Sequence, residues 1–201
     1  MDGQIGDPWT ALRPDDASRE FAQLTTRWWV CGGWSIDLWL GRDTREHADL
    51  DIGCFRNDVA QMCDDLSDWE IFTAHEGVLA RLPAGTDVPA HISSLWCRRA
   101  GSPSWDVQVM IEESDGLTWR FRRDTRVEQA ADLITWWSEV GVASLRPEVQ
   151  LLYKAKEVRS HDQADFDHVL PTLGPAAREW LSKSLRLVHP GHPWLLHLSV
   201  G

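Results

Sequence analysis

The sequence predicts an α/β (α+β) fold: a short mixed sheet flanked by helices over residues 1–145, then a helical C-terminal region over residues 146–201 packed against it. Three observations carry this reading. Short runs that alternate apolar and polar residues dominate the first two-thirds of the chain, as in residues 105–112. From Pro147 onward apolar residues recur at helical spacing. Between them lies a short apolar run, a Gly-Gly step and a short helical pattern, the order of a strand feeding a helix.

Taken in order, residues 1–15 read as a lead-in of Gly, Pro and Asp. Asp16 is placed to cap a helix over 17–27, with Phe21, Leu24 and Trp28 at helical spacing. Residues 28–31 suit a buried strand that Gly32-Gly33 breaks. Residues 35–40 form a short helix closed by Gly41, since a left-handed residue after the last turn is easiest for glycine. Residues 49–55 form the next strand. Its period of two points Asp49, Asp51 and Gly53 one way and Leu50, Ile52 and Cys54 the other. A helix follows from Asn57 or Asp58 to Leu66. Strands at 69–73 and 78–82 flank a turn at 75–77, and 91–99 with 105–112 make a hairpin. Residues 113–145 fit neither period. Helices are expected over 148–159, 163–170 and 175–188, with a last segment at 193–199.

A chain of 201 residues with 43% apolar and 25% charged residues is globular and suits one α/β domain with a helical annex. The net charge of −11 is concentrated at the front, where residues 1–75 hold 15 Asp/Glu against 6 Arg and no Lys. A nucleic-acid polymer is therefore not an expected partner, because phosphate backbones need a basic track. A cationic small molecule is, because an acidic cleft attracts it. Cys31, Cys54, Cys63 and Cys97 form no C-x-x-C pair, which speaks against zinc and thioredoxin-type chemistry. Buried free thiols suit a reducing cytoplasm. The opening MDGQIGDPWT has neither the basic nor the apolar segment of a signal peptide, and no run is long enough for a membrane span.

The chemistry concentrates in residues 28–55. On a strand, Asp49 and Asp51 face one side about 6–7 Å apart. Carboxylates that close repel unless a cation lies between them. Mg²⁺ favours a few carboxylates plus substrate phosphates. Two such ions can clamp the attacking and leaving oxygens of an in-line displacement. Gly32 and Gly33, lacking a Cβ, let backbone N–H groups approach a phosphate, and the following helix presents its positive end. Ser35 adds a hydroxyl donor.

These residues resemble the nucleotidyltransferase superfamily that includes DNA polymerase beta. They are similar above all to its antibiotic-modifying branch, the aminoglycoside 2″-adenylyltransferases and lincosamide nucleotidyltransferases. The resemblance lies in Gly32-Gly33-Trp34-Ser35-Ile36-Asp37, Gly41-Arg42-Asp43-Thr44-Arg45 and His47-Ala48-Asp49-Leu50-Asp51-Ile52. One departure is that Trp34 stands where the superfamily usually has Ser or Thr, with Ser35 one place later.

The resemblance implies a nucleotidyltransferase fold and Mg²⁺ held by Asp49, Asp51 and a third carboxylate, for which Asp106 is the fitting candidate; Glu112 and Glu113 are weaker ones. It further implies that Asp106 serves as base for the acceptor hydroxyl, that Gly32, Gly33 and Ser35 hold the triphosphate of ATP or another NTP, and that Lys154 reaches its phosphates. The implied reaction moves AMP from Mg-ATP to a hydroxyl of an aminoglycoside-like small molecule, releasing pyrophosphate. Modification of a protein hydroxyl and a catalytically silent nucleotide-binding or interaction module are the competing expectations. Arg42 and Arg45 either pair with nearby carboxylates or hold phosphate. His47 either buttresses Asp49 and Asp51 or makes another polar contact. The Arg120–Arg126 cluster either touches nucleotide or lies on a solvated edge.

Overall fold

A computed structural model describes residues 3–10 and 12–198. Residues 1, 2 and 11 of the expected lead-in, and Ser199 of the expected last segment, lie outside the described residues. The elements run α1 (Pro14–Glu20), β1 (Trp28–Cys31), α2 (Gly32–Leu40), β2 (Asp51–Phe55), α3 (Val59–Asp65), β3 (Trp69–His75), β4 (Val78–Arg81), β5 (Ser94–Arg99) and β6 (Val107–Ser114). They continue with β7 (Thr118–Arg120), β8 (Glu128–Ala130), β9 (Thr135–Trp137), β10 (Ala143–Leu145), α4 (Pro147–Lys154), α5 (Ser160–Val169), α6 (Pro175–Val188) and α7 (Leu195–Leu198).

The sheet is mixed, as expected, in the order β4-β3-β5-β6-β2-β1-β10-β9, with β7 joined to β6 and β8 to β7. β2 runs parallel to β6 and β1 parallel to β10; the other pairs are antiparallel. Side-chain alternation splits the core between the two faces. Val30, Ile52, Cys54, Val107 and Val109 pack with residues of α1 and α3 on one. On the other, Trp29, Cys31 and Phe55 pack with residues of α4, α5 and α6. Register then decides where the polar residues meet. Cys31 pairs with Asp51, and Asp51 with Gln108. One end of the sheet thus gathers the exit of β1 and the entries of β2 and β6.

Three segments differ from expectation for identifiable reasons. α1 begins at Pro14 and stops at Glu20 rather than spanning 17–27. Proline at the first helical position sets the start. At the far end, Thr25 donates its backbone N–H and hydroxyl to Asp65, both at 2.9 Å, which holds the chain in a non-helical path. α2 starts at Gly32 itself, with no turn between strand and helix. Residues 113–145 hold β7, β8, β9 and β10, each of three residues, plus a 3₁₀ turn over Ala131–Ile134. A three-residue strand is too short to show a period. Gly41 closes α2 with φ 65° and α6 matches 175–188, as expected, while β2 starts at Asp51 rather than 49, β5 at Ser94 rather than 91, and α4 stops at Lys154 rather than 159. All four cysteines are free, three of them buried. Among the described residues, no helix is long and apolar enough to cross a membrane.

Candidate active site

The two glycines are fixed by what surrounds them. Gly32 has φ +67°, and a Cβ there would collide with the Asp51 carboxylate. At Gly33 a Cβ would collide with the Arg45 guanidinium and the His47 ring. Both positions therefore bring the start of α2 against the residues that line the site. The Gly32 N–H donates to Gln150 Oε1 at 2.8 Å, tying α2 to α4. The Gly33 N–H belongs to the first turn of a nine-residue helix and has no intrahelical acceptor. Ser35 is fully buried and its hydroxyl donates to the Gly32 carbonyl at 2.8 Å, so it braces the turn instead of facing the cavity.

Asp37, one turn into α2, organises the loop that leads to β2. It accepts from the Thr44 N–H at 3.1 Å and the Thr44 hydroxyl at 2.5 Å, and pairs with His47 Nε2 at 2.7 Å. Burial alone would raise this carboxyl, but the His47 and Thr44 bonds outweigh it and hold it below its usual range. His47 thus braces the loop through Asp37, with its ring 4.3 Å from that of Trp34. The loop delivers Asp49 two residues later. Asp37→Asn, which removes the charge that these donors surround, is expected to cost about 2 kcal/mol in urea unfolding. An unchanged midpoint would show that the hub contributes nothing.

Asp49 and Asp51 open into a cavity of about 640 Å³ whose wall also includes Gly32, Gly33, Gln108 and Lys154. The carboxyl of Asp51 is pushed up to about 7, first by burial and then by Asp49, against the pull of Lys154, Arg159 and Arg45. Two carboxylates this close repel unless a proton or a cation lies between them. Its hard oxygens fit Mg²⁺, which commonly takes one or two carboxylates and completes its shell with phosphate oxygens and water. Among the described residues, no group of three or more His, Cys, Asp or Glu side chains forms a metal cage by itself.

The structure does not bring Asp106 to this wall. It lies one pleat before Gln108, and its carboxylate accepts from the Arg99 N–H across the β5–β6 hairpin at 2.9 Å. Opposite Asp51 stands Gln108, whose amide donates to Ser94 Oγ at 2.7 Å. Glu112 lines the same cavity further along β6, while Glu113 bonds Arg56 at 2.8–3.0 Å. Lys154 reaches the wall from the end of α4. Its ammonium sits 2.7 Å from Asp162 and 2.9 Å from Asp165, both on α5. Burial opposes ionisation of Asp162, but bonds from Arg159 and Lys154 take its carboxyl down to about 2. Arg45 also lines the cavity, 4.0 Å from Asp165, and Arg42 does not line it. Of the arginine cluster, Arg122 and Arg123 reach the cavity, whereas Arg120 and Arg126 pair with Asp115 and Asp124 outside it.

Sequence reasoning missed Gln108 and Gln150. Neither lies in a charged or glycine-rich motif. The alternation of β6 was the one available signal for Gln108, since it already set that side chain on the face opposite Val107 and Val109.

A family model for aminoglycoside-2″-adenylyltransferases matches residues 16–169. The chain belongs to that family, and with it to the antibiotic-modifying nucleotidyltransferases. Solved structures agree on the fold. The lincosamide antibiotic adenylyltransferase LnuA, in its lincomycin-bound form, superposes with a TM-score of 0.51 at 16% identity over 75% of this chain and 90% of that one. ANT(2″)-Ia in complex with adenylyl-2″-tobramycin gives 0.51 at 14% identity, over 84% and 90%. The solution structure of ANT(2″)-Ia gives 0.50 at 15% identity, over 85% and 86%. A sequence comparison with curated proteins returns no match.

Proposed function

We propose that this protein transfers AMP from ATP to a hydroxyl of an aminoglycoside-like antibiotic and releases pyrophosphate. The observation that carries the proposal is the meeting of Asp49 and Asp51 with the Gly32-Gly33 start of α2 at one cavity wall. The acceptor class is supported by family membership and by the tobramycin adduct and lincomycin found in the two structural neighbours.

Asp49 and Asp51 would hold Mg²⁺, which supplies charge neutralisation at the phosphates when bound. The chain itself binds and orients. The Gly33 N–H and the positive end of α2 receive phosphate oxygens. Lys154, Arg45 and Arg159 line the cavity around them and offset charge on the departing pyrophosphate. With Asp49 and Asp51 given to the metal, Glu46 at the cavity wall would be the carboxylate left to meet an acceptor's ammonium group. Asp106 lies off this wall with its carboxylate on the Arg99 N–H, so the acceptor's proton would instead leave to water in the open cavity. No covalent bond to the protein is required, so rate comes from positioning and electrostatics.

A pyrophosphate-release screen with Mg²⁺, four NTPs and a panel of aminoglycosides and lincosamides tests the proposal. Release with ATP and an aminoglycoside supports it; a flat panel sinks it. A second readout needs no turnover. Between about pH 4 and pH 7 the native Asp51 keeps a proton that the unfolded chain has released, so its contribution to stability falls as pH rises through that window. A divalent cation competes with that proton. Millimolar Mg²⁺ is therefore expected to raise Tm more at pH 8 than at pH 5.5; equal shifts at both would speak against Asp51 as a ligand.

A further inference from the structure

We propose that the inner end of the same cavity is a nucleoside subsite, in which Glu112 accepts a hydrogen bond from a neutral N–H or O–H donor of the nucleotide. The inference rests on the nucleotidyl-transfer reading and goes beyond it, since nothing above assigns the base or sugar a place. Glu112 is only 4% exposed yet lines the cavity. Its Oε2 accepts from Trp119 Nε1 at 2.8 Å and from the Tyr153 hydroxyl at 2.5 Å. Among the described residues no donor reaches Oε1. Oε1 is left open to the cavity, where a donor of a bound ligand can reach it.

The surroundings select the kind of donor. Arg122 and Arg123 flank this end, their guanidinium carbons 5.4 and 5.3 Å from the Tyr153 ring centroid. Arg122 is held by Ser93 Oγ and Arg123 by the Tyr153 carbonyl, both at 2.7 Å. Two fixed guanidiniums repel the ammonium groups of a cationic acceptor, whereas a nucleoside offers neutral amines and hydroxyls. The distance also suits a nucleotide lying along the strand. Gln108 faces Asp51, and Glu112 is four residues further, about 13 Å at the usual rise per residue. A triphosphate at Asp49 and Asp51 that ran along β6 would bring its nucleoside to Glu112. The donor is then either the base amine or a ribose hydroxyl.

Equilibrium binding with Mg²⁺ and no acceptor tests this. The probes are ATP, 2′-deoxy-ATP and purine riboside triphosphate, which lacks the exocyclic amine. Glu112→Gln keeps an oxygen for Trp119 and Tyr153 but turns a donor into the cavity. Wild type is expected to bind one of the two analogues about tenfold more weakly than ATP, and which one identifies the donor. The variant is expected to lose about tenfold for ATP and to lose the discrimination. If the variant misfolds, the analogue series on wild type decides alone. Equal binding of all three probes by wild type, or unchanged ATP affinity in a folded variant, overturns the subsite. Wild type that binds no triphosphate at all overturns the nucleotidyl-transfer reading and the subsite with it.

Discussion

Asp51→Asn is expected to lower Mg²⁺-dependent pyrophosphate release by about a thousandfold while leaving the protein folded. The substitution keeps the shape of the side chain that packs against Gly32 and removes the charge that the metal and phosphates require. Its effect on stability has the opposite sign. Burial and Asp49 together push the Asp51 carboxyl up to about 7, so ionising it opposes folding above that pH. The neutral amide escapes that cost, and Tm of the metal-free variant should exceed that of wild type at pH 8, with the difference shrinking towards pH 4. Higher stability with lost activity identifies a residue retained for chemistry. Full activity in the variant would remove Asp51 from the metal site.

Lys154→Ala is expected to have the largest effect on stability, about 3 kcal/mol or more at pH 7. The ammonium sits between Asp162 and Asp165, whose side chains are 1% and 3% exposed. Removing it leaves two buried carboxylates on α5 and releases the contact that holds α5 to the end of α4. Arg159 compensates in part, bonding Asp162 at 2.8 Å, but among the described residues Asp165 is left with Arg45 alone, at 4.0 Å. The loss should be greater at pH 8 than at pH 5, because near pH 5 the stranded carboxyls can take up protons in the folded state. Urea unfolding at the two pH values reads this out, and a pH-independent loss below about 1 kcal/mol would contradict the buried network. The same substitution should raise the apparent KM for nucleotide. Lys154→Arg, with its charge retained but its geometry changed, separates the two roles: it should recover stability more fully than KM.

What was legible in the sequence was whatever short spacing determines. Asp49 and Asp51 two residues apart, with Asp51 opening β2 and Asp49 just ahead of it, glycines at a strand-to-helix junction, and Lys154 near the end of a helix are all local patterns. Ser35 and Asp106 mark the limit of that reasoning. The spacing selected plausible residues, but local acceptors and donors engage both side chains: the Gly32 carbonyl for one, the Arg99 N–H for the other. The partners of the legible residues were not visible. Gln108 comes to Asp51 through parallel register between residues 57 apart along the chain, and Gln150 reaches Gly32 only because α4 docks on α2. Asp162 and Asp165 become the counter-charges of Lys154 because a tight connection folds α5 back over α4. Residues 113–145 stayed unread because their strands are three residues long, fixed by neighbours and not by their own period.

Nucleotidyl transfer is distinguished from every neighbouring reaction by which phosphorus moves. The direct measurement incubates the protein with Mg²⁺ and an aminoglycoside, using ATP labelled at either the α or the γ position. Label from the α position should appear on the antibiotic and label from the γ position in free pyrophosphate, with both lost in Asp51→Asn. Label from the γ position on the antibiotic, or α label retained in ADP, would contradict the proposed chemistry.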